Sequence, residues 1–148
     1  MQTVHAHLEV EIDRRPEEVW AVVGDYASDP RWRGGVKAMI ADPDGPPAPG
    51  TRVHEVLEMA GRTYTTDSVV TEAGPGLRYR FAGEGTGGAV RGGRAVQPGP
   101  RPGSSRFTYD VEVEPTGVPF GLRRIMGWWM RRSFRRDLAR LRDLLEAS

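Results

Sequence analysis

The final stretch of this chain, Pro119 to Ser148, constrains its fold more than any other part. It contains no proline after Pro119. An advance of about 100° per residue places Met126, Met130, Phe134, Leu138, Leu141 and Leu145 on one stripe. Arg124, Arg131, Arg135 and Arg142 gather on the opposite side. The spacing predicts one long basic amphipathic helix whose apolar stripe must cover something. The chain before it reads as strands, so the helix is expected to lie across an antiparallel sheet, either sealing a solid core or roofing a cavity. Gly121 and Gly127 interrupt it. A glycine inside a helix costs about 1 kcal/mol relative to alanine, which points to close approach of the sheet or of a ligand.

Residues 4 to 13 alternate, with Val4, Ala6, Leu8, Val10 and Ile12 on one face and His5, His7, Glu9 and Glu11 on the other. This is the pattern of a half-buried strand. Pro16 then suits a first helical position and Glu17 and Glu18 a helix N-terminus, and the short helix they open ends near Gly24. Asp29-Pro30-Arg31-Trp32 reads as a second helical turn or loop, Val36 to Ala41 as a strand, and residues 42–50 as a turn. Further strands are expected at 51–59, 62–72, 77–82, 89–97 and 105–114, with breaks at Ala60-Gly61, 74–76, Gly83 to Gly88 and Pro98 to Gly103. The expected class is α+β: a strand, two short helices, an antiparallel meander and a long closing helix, as one domain over residues 1–148.

Cysteine is absent, which excludes disulfides, thiolate metal sites and cysteine nucleophiles. No stretch approaches eighteen apolar residues and no secretory signal opens the chain. The expectation is a cytoplasmic protein with no integral membrane association. Residues 119–148 carry eight arginines against Asp137, Asp143 and Glu146, a local charge of +5 in a chain of +1. Lys37 is the single lysine, so the arginines reflect composition as much as a partner, and the charged face reads as solvated rather than as a nucleic-acid site. Trp128 falls away from the apolar stripe; it is expected beneath the Thr116-Gly117 loop, while exposed among arginines it would suit a membrane surface or a homodimer contact.

The order of strand, Pro16-Glu-Glu-Val-Trp20, Asp25-Tyr26 through Pro30-Arg-Trp32, meander and terminal helix ending in Arg136 to Leu145 resembles the SRPBCC (START-like, helix-grip) superfamily. Within it the polyketide cyclase/dehydrase-like branch is the most similar. The resemblance spans nearly the whole chain and rests on element order and the P-x-x-V-W…Y…W spacing rather than on a catalytic signature. It implies a curved antiparallel sheet wrapped around the C-terminal helix, with a deep hydrophobic cavity between them and an entrance rimmed by loops. Members include aromatases, cyclases, sterol and phospholipid carriers, quinone-binding proteins and hormone receptors, so the fold does not fix the chemistry. Trp32 resembles the family's entrance tryptophan, although it could equally close the end of the barrel.

Glu55 shares its strand face with Val53, Leu57 and Met59. A carboxyl group buried alone among apolar neighbours is suited to exchange a proton near neutral pH, as an aldol cyclisation or dehydration requires. The alternatives are that the His54 and Val56 face points inward, or that an arginine such as Arg91 neutralises Glu55. Tyr64, Tyr79 and Tyr109 lie on three strands and could converge, with Tyr79 and Tyr109 on the faces of firmer inward parity. The expected catalytic set is Glu55, Tyr79 and Tyr109. The expected ligand wall is Trp32, Tyr64, Phe81, Phe107, Met126, Trp129 and Met130.

No cofactor or metal is expected. His5 and His7 lack a third ligand, and Gly83 to Gly88 satisfies G-x-G-x-x-G without the helix that a dinucleotide site needs. The expected partner is a small hydrophobic, oxygenated molecule. Two functions compete: a cofactor-independent polyketide cyclase or aromatase-like enzyme, and a non-catalytic lipid or quinone carrier; a third reading, an arginine-rich helix that meets an anionic membrane or nucleic acid, is opposed by the helix's own apolar stripe, which must be buried.

Overall fold

The computed structural model describes residues 3–147. Strand β1 (Val4–Ile12) leads into helix α1 (Pro16–Val23), a 3-10 turn (Tyr26–Ser28) and helix α2 (Asp29–Trp32). Strands β2 (Val36–Asp42), β3 (Arg52–Met59), β4 (Arg62–Ala73), β5 (Arg78–Gly85), β6 (Gly88–Pro98) and β7 (Ser105–Pro115) follow. A 3-10 turn (Phe120–Leu122) then opens helix α3 (Arg123–Glu146).

The seven strands form one antiparallel sheet in the order β1-β7-β6-β5-β4-β3-β2. Consecutive strands from β2 to β7 pair as a meander, and β1 returns beside β7 with Val4 opposite Val113 and Ile12 opposite Ser105. Register irregularities between Val36 and Ala38 and between Val70 and Glu72 give the sheet local bends of the kind that help it curve. The break expected from Gly83 to Gly88 is shorter than its glycines suggested: pairing continues to Gly85 opposite Gly88, leaving Thr86-Gly87 as the turn. A side chain at Gly85 would collide with the Thr65 carbonyl, so glycine lets β5 run close against β4 to its very end.

The apolar stripe of α3 is buried where its periodicity placed it. Met130, Phe134, Leu138, Leu141 and Leu145 join Val4, Ala6 and Ile12 of β1, Phe107, Tyr109 and Val111 of β7, Val19 and Val23 of α1, and Trp32 in one core. A second cluster of Tyr26, Val53, Val70 and Tyr79 lies under Trp20. Together α1, the following turn and α2 plug one end of the concave face of the sheet. The first half of α3 hangs over the other end.

Two expectations for the terminal segment change, and the alternatives left open at Gly127 are decided. Regular helix starts at Arg123 rather than Pro119, and Gly121 belongs to the 3-10 turn, where a side chain would meet open space. Gly127 faces β1: an added Cβ would lie 3.3 Å from Val4 Cγ1 and 3.0 Å from Arg131 Nη1, so the close approach is that of the sheet, not of a ligand. Trp128 is not beneath the Thr116-Gly117 loop. It stands half in solvent, edge-on to Trp129 at 5.4 Å between centroids and with the Arg132 guanidinium 5.3 Å from its ring, because its angle on the helix turns it away from β1.

Candidate functional site

Between the concave sheet and the first half of α3 lies a cavity of about 510 Å³. That is a volume suited to a small organic molecule. Val53 and Leu57 of β3, Phe81 of β5, Val90 of β6, and Val111 and Val113 of β7 form its sheet wall, and Met126, Met130 and Phe134 of α3 form its roof. Tyr64, Thr66 and Ser68 of β4 add a polar strip along one side. Residues 117–119 with Leu122, Ile125 and Trp129 line it where α3 begins.

The opposite end of the cavity is ionic. Across α2 and the residue that caps it, the i, i+4 spacing brings Asp29 and Arg33 together, with Arg33 Nη1 donating to Asp29 Oδ2 at 3.1 Å. Arg94 sits on the inward parity of β6, shared with Val90 and Val96, and reaches α2 from below. Its Nη1 donates to Asp29 Oδ1 at 2.9 Å and to the Val23 carbonyl at 3.0 Å, and its Nη2 donates to Asp29 Oδ2 at 2.5 Å. Arg33 Nη1 also donates to Glu55 Oε2 at 2.7 Å. The result is a chain Arg94, Asp29, Arg33, Glu55 of alternating charge, with zero net charge. Asp29, Arg33 and Arg94 are almost wholly buried, and Glu55 is partly open.

Aromatic faces complete the setting of Arg94, whose guanidinium carbon is 5.0 Å from the Trp32 ring and 5.1 Å from the Tyr109 ring. Burial is the largest single influence on Arg94 and works against its charge, but Asp29, Tyr79 and Tyr109 together outweigh it, so its pKa is raised well above the ordinary value. For Arg33 burial is likewise outweighed, first by Glu55, and its pKa is also raised. Both guanidiniums are therefore fixed cations. Burial pushes the Tyr109 phenol up despite Arg33 and Arg94, and pushes Tyr26 up to about 12, so at neutral pH both hydroxyls keep their protons. Such an end can donate hydrogen bonds to a ligand oxygen and offers one carboxylate, Glu55, as a proton acceptor.

The sequence profile of the family described as polyketide cyclase / dehydrase and lipid transport matches residues 3–146. The chain belongs to that family. Among curated proteins none matches by sequence. Among solved structures, the protein TTHA0849 from Thermus thermophilus is similar with a TM-score of 0.81 at 20% identity, over 97% of each chain. A START superfamily protein from Mycobacterium smegmatis gives 0.78 at 17% identity, again over 97% of each chain. The Zhui aromatase/cyclase from a Streptomyces species, R1128, gives 0.80 at 12% identity over 98% of this chain and 94% of its own. At these identities the likeness shows the fold alone: the helix-grip arrangement of a curved antiparallel sheet around a long C-terminal helix.

Within this polyketide cyclase/dehydrase family member the expected site residues separate into two groups. Glu55, Tyr64, Phe81, Tyr109, Met126, Trp129 and Met130 line the cavity. Trp32, Tyr79 and Phe107 do not. Trp32 is fully buried edge-on against Phe107 at 6.0 Å, and Phe107 stacks beside Tyr109 at 6.3 Å, so both lie in the packed layer behind the ionic end. Tyr79 has the inward parity expected of it, yet Trp20 and Tyr26 cover it at 5.9 and 5.4 Å between ring centroids. The plug formed by α1 and the following turn takes the space a ligand would need there.

Glu55 does point inward, but it is not alone. Its partner is Arg33 rather than Arg91, which instead pairs with Glu112 on the outer face. Asp29, Arg33 and Arg94 are the site residues that sequence reasoning missed. A signal existed for each: the i, i+4 pair across α2 and its capping residue, and a charged residue at the inward parity of β6. Neither shows which partner it meets, because the partners are 22 and 65 residues away.

Proposed function

We propose that this protein binds a small hydrophobic, oxygenated molecule in the cavity and acts on it as a cofactor-independent cyclase or aromatase. The observation that carries the reading is the ionic end of an otherwise apolar cavity, where Glu55, Arg33 and Tyr109 border one space. The apolar body of the ligand packs on Val90, Val111 and Met130 and directs a carbonyl oxygen to that end. Tyr109 and Arg33 donate hydrogen bonds to the oxygen as negative charge grows on it. Glu55 takes the proton from the adjacent carbon, the resulting enolate carbon bonds to a second carbonyl carbon of the same molecule, and Glu55 returns its proton to the new alkoxide. Loss of that hydroxyl with a neighbouring proton releases one water and leaves a conjugated ring. The walls hold one folding of the chain and keep bulk water out.

A carrier of a lipid or quinone without turnover is the second reading. The Arg33 to Glu55 contact favours it, since one carboxylate oxygen of Glu55 is already engaged by the Arg33 guanidinium and is less accessible to a ligand. The variant Glu55→Gln separates the two. With a poly-carbonyl substrate mimic, the cyclase reading expects turnover to fall by about 10² to 10⁴-fold while affinity stays within a few-fold. Equal turnover by the variant removes Glu55 from the mechanism. Native mass spectrometry of the purified protein completes the test: a co-purified aromatic polyketide supports the cyclase, a fatty acid or quinone the carrier.

A further inference from the structure

Five large apolar side chains stand in solvent where α3 begins: Phe120, Leu122, Ile125, Trp128 and Trp129, each between 45% and 69% exposed. The other exposed large apolar residues among those described, Ile40 and Val69, lie on separate strands. A cluster of this kind marks a surface that meets something. It is continuous with the cavity, because Leu122, Ile125 and Trp129 line its mouth while Phe120 and Trp128 lie outside it.

The same face is strongly cationic. From Thr116 to Arg136 the chain has six arginines and no acidic residue. Arg124, Arg132, Arg135 and Arg136 are exposed and enter no salt bridge among the described residues. Relative to Trp128, an advance of about 100° per residue puts Ile125 and Arg132 at about 60° and 40° on one side, and Arg124 and Arg135 at about 40° and 20° on the other. Apolar and cationic groups therefore share one exposed face of α3, the arrangement that seats a helix at the boundary between anionic headgroups and acyl chains. No helix among the described residues is long and apolar enough to cross a membrane, so the contact is peripheral.

We propose that this face docks the protein on an anionic lipid surface, with Phe120, Leu122 and Trp128 entering the interface and the arginines pairing with headgroups. The mouth of the cavity then opens against the bilayer. A second copy of the chain is a poor occupant, since a two-fold contact would bring the unpaired arginines of both copies together with no acid between them. A nucleic acid would use the arginines but leave Leu122 and Ile125 without a role. The docking concerns the surface and holds whichever ligand the cavity takes.

The test is co-sedimentation of the full chain with vesicles of phosphatidylcholine containing about 30% phosphatidylserine, against pure phosphatidylcholine. Expected are binding to the anionic vesicles at least about ten-fold tighter, loss of that difference in high salt, and a blue shift of tryptophan fluorescence on binding. Arg124→Glu and Arg132→Glu should each weaken binding by about five-fold or more. Phe120→Ser and Trp128→Ser lie outside the cavity wall, so they should lose vesicle binding while melting at the parent temperature and keeping the parent's affinity for a soluble cavity ligand. Equal binding to neutral and anionic vesicles, no binding to either, parent-like binding by the four variants, or burial of Trp128 in a concentration-dependent dimer would each overturn the proposal. So would binding to nucleic acid with none to vesicles.

Discussion

Asp29 receives hydrogen bonds from two arginines on two elements, and the ionic end of the cavity is built around it. Buried pairs of this kind cost much of their attraction in lost hydration, so breaking one is worse than replacing both members. Arg94→Met should lower stability by about 3–5 kcal/mol in urea denaturation, whereas Asp29→Leu combined with Arg94→Met should recover a large part of the loss. Simple addition of the two single losses would mean that Asp29 and Arg94 are not coupled. Asp137 on α3 is the second residue with a readable signature. Burial raises its pKa, against the opposing effects of Arg33, the Gly34 N–H that it accepts at 3.1 Å, and Arg140 at 3.0 Å. A carboxyl whose folded pKa lies above its unfolded value adds stability in acid and loses that contribution as pH rises through the folded pKa. Asp137→Asn should therefore gain on the parent in melting temperature as pH climbs from about 4, and the curves should run parallel once Asp137 is ionised in both states. Curves parallel from pH 3 to 8 would mean that Asp137 titrates alike in both states.

At the scale of elements, α3 shows how far periodicity reads and where it stops. Its buried stripe is a local property, since the spacing of Met130, Phe134, Leu138, Leu141 and Leu145 follows from 3.6 residues per turn. Its true start is not local: Pro119 precedes a 3-10 turn instead of opening the helix. Gly127 marks where β1 comes closest. Gly127→Val should force Val4 and Arg131 aside and lower stability by about 1–3 kcal/mol, measured by thermal melting, despite the better helix propensity of the new residue. A variant as stable as the parent would mean that β1 yields freely there. The strands were legible for the same reason as the helix: alternation in β1, β5 and β7 assigned their inner faces correctly. Tyr79 shows the limit, because inward parity does not distinguish a cavity wall from space already filled by Trp20 and Tyr26.

The molecule as a whole keeps its cavity because α1, the turn and α2 fill one end of the curved sheet while α3 overhangs the other without descending into it. Filling that space should separate binding from folding. Val90→Phe adds volume toward an existing void, so it should leave the melting temperature of the ligand-free protein within a few degrees of the parent and sharply reduce ligand occupancy in native mass spectrometry. A ligand at about 100 times its dissociation constant should stabilise the parent by about 2.7 kcal/mol, and the filled variant much less. Equal stabilisation of both would place the ligand elsewhere.

By itself the sequence determined the elements and their buried faces, since helix and strand periods are written in neighbouring residues and need no partner to be read. The absence of cysteine and the run of arginines along the last helix were equally plain. What only the tertiary structure decided is which charges meet. Glu55 was readable as a candidate carboxylate whose strand face stayed open, and its tie to Arg33, and through Asp29 to Arg94, joins three separate stretches of chain. The exposure of Trp128 was decided in the same way, by where β1 and the Thr116-Gly117 loop come to lie. Pairing and covering are set by how the sheet curves, and that depends on the summed packing of distant segments rather than on any one of them.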